Sequence, residues 1–123
     1  MQDMMKGAVL AVSVAVAGIA VADERPSHFK GLPSPDLQTA VANFSEYNNR
    51  LEEILAGELT DTDLVKIHEL TYTLENALEK MNDEMEELAE TLEEIHVATE
   101  TFDRDALKEV APGYLETSRI LVK

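Results

Sequence analysis

Between Leu64 and Phe102 the apolar positions recur at alternating steps of three and four: Leu64, Ile67, Thr71, Leu74, Leu78, Met81, Met85, Leu88, Leu92, Ile95, Thr99 and Phe102. None of these positions is charged and the phase never slips, so the pattern predicts one amphipathic helix over residues 61–101. Leu70, Ala77 and Ala98 widen the stripe on one flank, to the width of a bundle helix rather than a two-stranded seam. Thr60 and Asp63 stand at capping-box spacing where this helix begins. A hairpin bent near Asn82 is the alternative, with Asp83 and Glu86 capping its second arm. Continuity is the stronger reading, because no Gly or Pro lies between residues 58 and 111.

Two shorter helices flank the long one. For Asp36–Ala56, Ser34 stands as N-cap, Pro35 at the first helical position and Gly57 just past the end. Its inward face is Leu37, Val41, Phe44, Asn48, Leu51 and Leu55, with Asn48 reading as a satisfied core amide or a register device. The last segment takes Asp103 as cap and carries Ala106, Leu107, Val110, Ala111, Tyr114, Leu115 and Leu121. Pro112-Gly113 interrupts it, which predicts a kinked helix or two short ones. The fold class is therefore all-α: a helical bundle built on one long central helix (61–101) flanked by two shorter helices. If the chain bends near Asn82, it is instead a four-helix bundle within one chain. Two short helices covering one half each of a long one leave apolar surface exposed, and antiparallel pairing of two chains would close it.

The N-terminus has a different pattern. Gly7–Val21 is apolar except for Ser13, follows Lys6 and ends in Ala20-Val21-Ala22, a small-x-small cleavage site. Residues 1–22 read as a signal peptide, because the run is shorter than the roughly 18 apolar residues a membrane span needs. The expected organisation is a cleaved signal peptide at 1–22, an extended leader at 23–35 and a single helical domain at 36–123. The product would be periplasmic, with no membrane span once the signal is removed.

Charge narrows the partners. The 123 residues include 25 acids and 10 bases, a net charge of -15, and loss of Asp3 with Lys6 on cleavage leaves that value unchanged. Phosphate binding draws on clustered Lys and Arg, which are absent, so nucleic acid is excluded. With no Cys there is no disulfide, thiol chemistry or Cys-ligated metal.

His68 and His96 are the candidate chemistry. They lie 28 residues apart, each one step after an isoleucine, and so share one helix face. On a straight helix about 42 Å separates them; a bend, or antiparallel pairing of two chains about residue 82, brings them to one level. Glu93 stands three residues before His96 and Glu100 one turn after it. His68, His96, Glu93 and Glu100 are therefore the candidate metal ligands, imidazole being suited to zinc, copper or nickel. Val65 occupies the position where a di-iron bundle would need a second Glu. Met81 and Met85 have thioethers that could ligate, but at this spacing they read as core. The seven acids from Asp83 to Glu94 read as a solvated face. No G-x-S-x-G, H-E-x-x-H, P-loop or paired-glycine motif occurs, so no catalytic residue is assigned and the protein reads as a non-enzyme.

At Arg25-Pro-Ser-His-Phe-Lys-Gly31, Asn43-Phe-Ser-Glu-Tyr-Asn48, His68-Glu-Leu-Thr-Tyr-Thr-Leu-Glu-Asn-Ala-Leu78 and Glu93-Glu-Ile-His96, the chain resembles a family of short, uncharacterised exported proteins of Gram-negative bacteria. That resemblance implies a periplasmic helical protein and carries over no site residue. At the level of fold the chain also looks like the soluble b-type cytochrome four-helix bundle. That family's Met on the first helix and His on the last have no counterpart here.

The sequence thus points to a non-enzymatic, acidic, periplasmic binding or interaction protein. Its expected partner at the Leu64–Phe102 stripe is a second copy, as a homodimer, or another helical protein. No cofactor is expected on this reading; the alternative is a carrier of a transition metal or non-covalent haem using His68 and His96.

Overall fold

A computed structural model describes residues 30–123. Three helices follow one another: α1 (Leu37–Leu55), α2 (Asp61–Glu100) and α3 (Arg104–Leu121). The expected signal peptide and the first part of the leader lie outside the described residues.

Local chemistry sets each helix start. At α2 the capping box forms in full: the Thr60 hydroxyl accepts from the Asp63 amide at 3.2 Å, and the Asp63 carboxylate accepts from the Thr60 amide at 3.1 Å. Asp103 caps α3, accepting from the Ala106 amide at 3.0 Å. At α1 the cap is Asp36, which accepts from the Thr39 amide at 2.8 Å, and not Ser34. A carboxylate at the positive end of a helix is a stronger acceptor than a hydroxyl there. The Ser34 hydroxyl instead accepts from the Asn43 amide group at 3.2 Å.

Helix α2 passes Asn82 without a break, so the four-helix arrangement within one chain does not form. Its 40 residues span about 60 Å. The Lys80–Glu84 ion pair, 2.7 Å long, bridges one turn at the site of the expected bend. At the far end Phe102 takes a left-handed backbone (φ 55°), with the Asp103 amide donating to the Ala98 carbonyl at 2.8 Å and the Phe102 amide to Thr99 at 3.3 Å. This is the Schellman arrangement, in which a Gly usually stands. Here the position belongs to a phenylalanine that is 77% exposed rather than to a member of the inward stripe.

Helix α3 is a single helix with Pro112 inside it, not two short ones. Pro112 removes one intrahelical donor, opposite the Lys108 carbonyl. Lys108 and Pro112 are both exposed, so water can serve that carbonyl. The half-buried row Ala106, Val110, Tyr114, Thr117 and Leu121 keeps the helix against α2.

Helix α1 packs on the N-terminal half of α2 and α3 on the C-terminal half, both antiparallel to it, and the two short helices touch each other only slightly. The buried side chains other than Ala98 cluster where α1 meets α2: Leu37, Ala40, Leu70, Leu74 and Ala77, with Thr73. Ala40 and Ala77 have no exposed surface at all, so small side chains set a close helix–helix approach. Helix α3 buries no residue completely. On α1 the expected inward face holds at Leu37 and, half-buried, at Val41, Phe44, Asn48 and Leu51. At its C-terminal end Ile54 is half-buried and Leu55 is 53% exposed.

Residues 30–36 form a strap across α2. The Leu32 amide donates to the buried Thr73 hydroxyl at 2.9 Å, and the Asn76 amide group donates to the carbonyls of Lys30 (3.0 Å) and Leu32 (2.9 Å). Gly31 makes this crossing possible, with a φ of +69° and backbone so close that an added Cβ would lie 2.6 Å from the Thr73 nitrogen.

Candidate functional site

The apolar stripe of α2 resolves into two parallel rows with different fates. Ile67, Leu74, Met81, Leu88 and Ile95 are buried or half-buried, and beside them Leu70, Ala77 and Ala98 are buried. The other row stands open: Leu64 is 53% exposed, Leu78 43%, Met85 54% and Leu92 48%. The stripe is wider than one covering helix, and α1 and α3 both settle on the flank where alanines permit close approach. Met85, which the spacing places in the core, is therefore a surface residue.

The open row has relief as well as length. Met85, Ala89 and Leu92 form one wall of an apolar groove of about 480 Å³, and Tyr114, Leu121 and Val122 form the other. A second cleft of about 560 Å³ lies under the strap between Lys30, Ser34, Asn76, Lys80 and Asp83. There Glu84 holds the Lys80 ammonium at a raised pKa, through their ion pair.

Both histidines sit one turn beyond a leucine of the open row, His68 after Leu64 and His96 after Leu92, and both are exposed. The structure brings two of the four expected ligands together, with His96 Nε2 3.0 Å from Glu100 Oε1. Glu93 lies exposed one turn earlier. His68 faces Tyr72 edge-on, with ring centroids 5.2 Å apart and the Tyr72 hydroxyl 3.3 Å from Nε2. Because α2 is continuous, the two histidines are about 42 Å apart within one chain. Among the described residues no three His, Asp or Glu side chains form a metal-binding group.

The surroundings of the two histidines repeat. Ile67-His68-x-x-Thr71 and Ile95-His96-x-x-Thr99 have the same side-chain-to-backbone bond, from the Thr hydroxyl to the His carbonyl at 2.6 Å in each. The repeat is visible in the chain as two I-H-x-x-T segments. Sequence reasoning missed the strap, whose contacts with Thr73 and Asn76 join residues more than 40 positions apart. Gly31, set between Pro26 and Pro33, was the one signal of a required turn.

Among the described residues no helix is long and apolar enough to cross a membrane. No curated protein and no solved structure gave a significant match to this chain. A family model does match, over residues 1–123, and the chain belongs to that family, DUF6746, a family of unknown function.

Proposed function

We propose that the protein is a non-enzymatic, acidic helical interaction module, exported to the periplasm by a cleaved signal peptide at residues 1–22, whose working surface is the open row of α2. The observation that carries this reading is the alignment of Leu64, Leu78, Met85 and Leu92, each between 43% and 54% exposed, along a helix whose other flank is covered. Scattered exposed apolar residues are ordinary on a protein surface, whereas apolar residues aligned at seven-residue spacing beside a groove, as Leu78, Met85 and Leu92 are, suit a docking site. The partner is helical, because a ridge with seven-residue spacing packs best against another helix. The signal-peptide part predicts a mature periplasmic protein beginning at Asp23, which intact-mass measurement checks.

The docking reading is tested by comparing Met85→Glu with Val97→Glu. Both residues are exposed and apolar, at 54% and 45%, but only Met85 lies on the row. Placing a carboxylate in an apolar interface leaves a buried charge without a partner. Met85→Glu should abolish association while Val97→Glu keeps it, as read by light scattering with helicity unchanged. Equal behaviour of the two variants would refute the assignment. A second reading, a metal carrier, draws support from the His96–Glu100 contact at 3.0 Å.

A further inference from the structure

We infer that the partner on the open row is a second copy of this chain, packed antiparallel about Asn82, and that this pairing assembles two sites for a zinc-class divalent cation from His68 of one copy and His96 with Glu100 of the other. The inference rests on the docking reading and adds to it a partner, a direction and a ligand.

Three observations carry it. First, the open row is symmetric about its middle: Leu64 and Thr99, Thr71 and Leu92, and Leu78 and Met85 lie equally far from a point between residues 81 and 82. An antiparallel twin therefore sets Leu78 against Met85 at its centre, with Leu64 and Leu92 against the threonines at 99 and 71; α1 and α3 cover the other flank, and the end of α3 borders the row at Tyr114, Leu121 and Val122. A face about 60 Å long and about 10 Å wide buries roughly 600 Å² per copy, or about 1,200 Å² in all, the lower edge of what specific interfaces use.

Second, charge sets the direction. Residues 83–100 carry eight acids and no base, whereas 61–82 carry five acids with Lys66 and Lys80. Parallel pairing would stack the two strongly acidic halves on each other; antiparallel pairing sets each against the weaker half.

Third, the I-H-x-x-T repeats then face one another. His68 and His96 are equidistant from residue 82, so His68 of each copy comes level with His96 of the other. His96 and Glu100, already 3.0 Å apart and one turn apart on the helix, form a two-ligand chelate. His68 supplies a third donor, giving the His₂Glu set with an open fourth position that zinc accepts. The 3.3 Å contact from the Tyr72 hydroxyl to His68 Nε2 is long for such a bond and yields to a metal. One chain offers only half a site, in keeping with the absence of a three-ligand group among its described residues.

The test is zinc titration of the purified protein by calorimetry, with sedimentation in chelator and in zinc. The expected result is one zinc per chain and, with zinc at ten times its dissociation constant, about 100-fold tighter dimerisation, since two sites are linked to one dimer. His68→Ala and His96→Ala should each lose zinc binding, and an equimolar mixture of the two should regain part of it, because the mixed dimer keeps one intact site. A dimer indifferent to zinc, zinc binding that survives either substitution, or a mixture that regains nothing overturns this inference and leaves the docking reading in place. A wild-type chain that stays monomeric with and without zinc overturns both.

Discussion

Replacing Gly31 with alanine should loosen the strap and lower stability by about 2–3 kcal/mol. Two costs compete. If the strap holds its place, alanine must take a φ of +69°, worth about 1–2 kcal/mol for an L-residue. Its Cβ would also stand 2.6 Å from the Thr73 nitrogen and 2.7 Å from the Tyr72 carbonyl carbon, backbone atoms of a packed helix that cannot rotate away. If the strap lifts instead, the strain vanishes but three hydrogen bonds to Thr73 and Asn76 are exchanged for water, at about 1 kcal/mol each. The protein takes the cheaper course, so the loss cannot much exceed the roughly 3 kcal/mol of full release. Urea denaturation followed by circular dichroism measures it, and hydrogen exchange at the Leu32 amide reports whether the strap has lifted. Gly57→Ala is the control, since its Cβ meets only the Ile54 carbonyl at an ordinary 3.7 Å. Indistinguishable midpoints for the two variants would refute the reasoning.

Further predictions follow from the helix ends and the interior proline. Phe102→Gly should stabilise the protein by about 1 kcal/mol in a thermal melt, because the left-handed position is relieved and an exposed ring gives up little burial. Unchanged stability would mean the ring packs on something. Pro112→Ala restores a donor to the Lys108 carbonyl and should raise the denaturation midpoint by an amount equivalent to about 1–3 kcal/mol; a loss would show that proline holds a needed bend. Bonds from Thr39 and Thr60, respectively, hold the Asp36 and Asp63 carboxyls below the ordinary carboxylate pKa of 3.8. A depressed folded-state pKa stabilises above the unfolded value and ceases to do so as pH falls through the folded one. The stability advantage of wild type over an Asp36→Asn, Asp63→Asn double variant should therefore be full at neutral pH and shrink below about pH 3.8. An advantage constant with pH would contradict that origin.

Features set by neighbouring residues were legible in the chain. Thr60 with Asp63, and Asp103 with Ala106, satisfy their own helix ends, and the unbroken phase from Leu64 to Thr99 foretold a continuous α2. The exchange of Ser34 for Asp36 as cap marks the limit of such reading, because two acceptors stood within reach and Asn43, one element away, engaged the other. Which flank of the stripe would be covered could not be read from spacing. It depended on the packing between helices, where Ala40 of α1 and Ala77 of α2 are both wholly buried and their small side chains let backbones approach. The strap was out of reach for the same reason, joining Leu32 to Thr73 across 41 positions. At the candidate site the sequence singled out His68, His96 and Glu100, and the structure adds that they flank an open apolar row and that one chain unites only His96 with Glu100.

The most direct test of the account is sedimentation equilibrium of the wild-type protein and its Met85→Glu variant over a range of concentrations. A reversible dimer for the wild type, with a variant that is monomeric and equally helical, is the result the open row of α2 predicts. A wild type that is monomeric throughout, or a variant that dimerises as tightly as wild type, would contradict it.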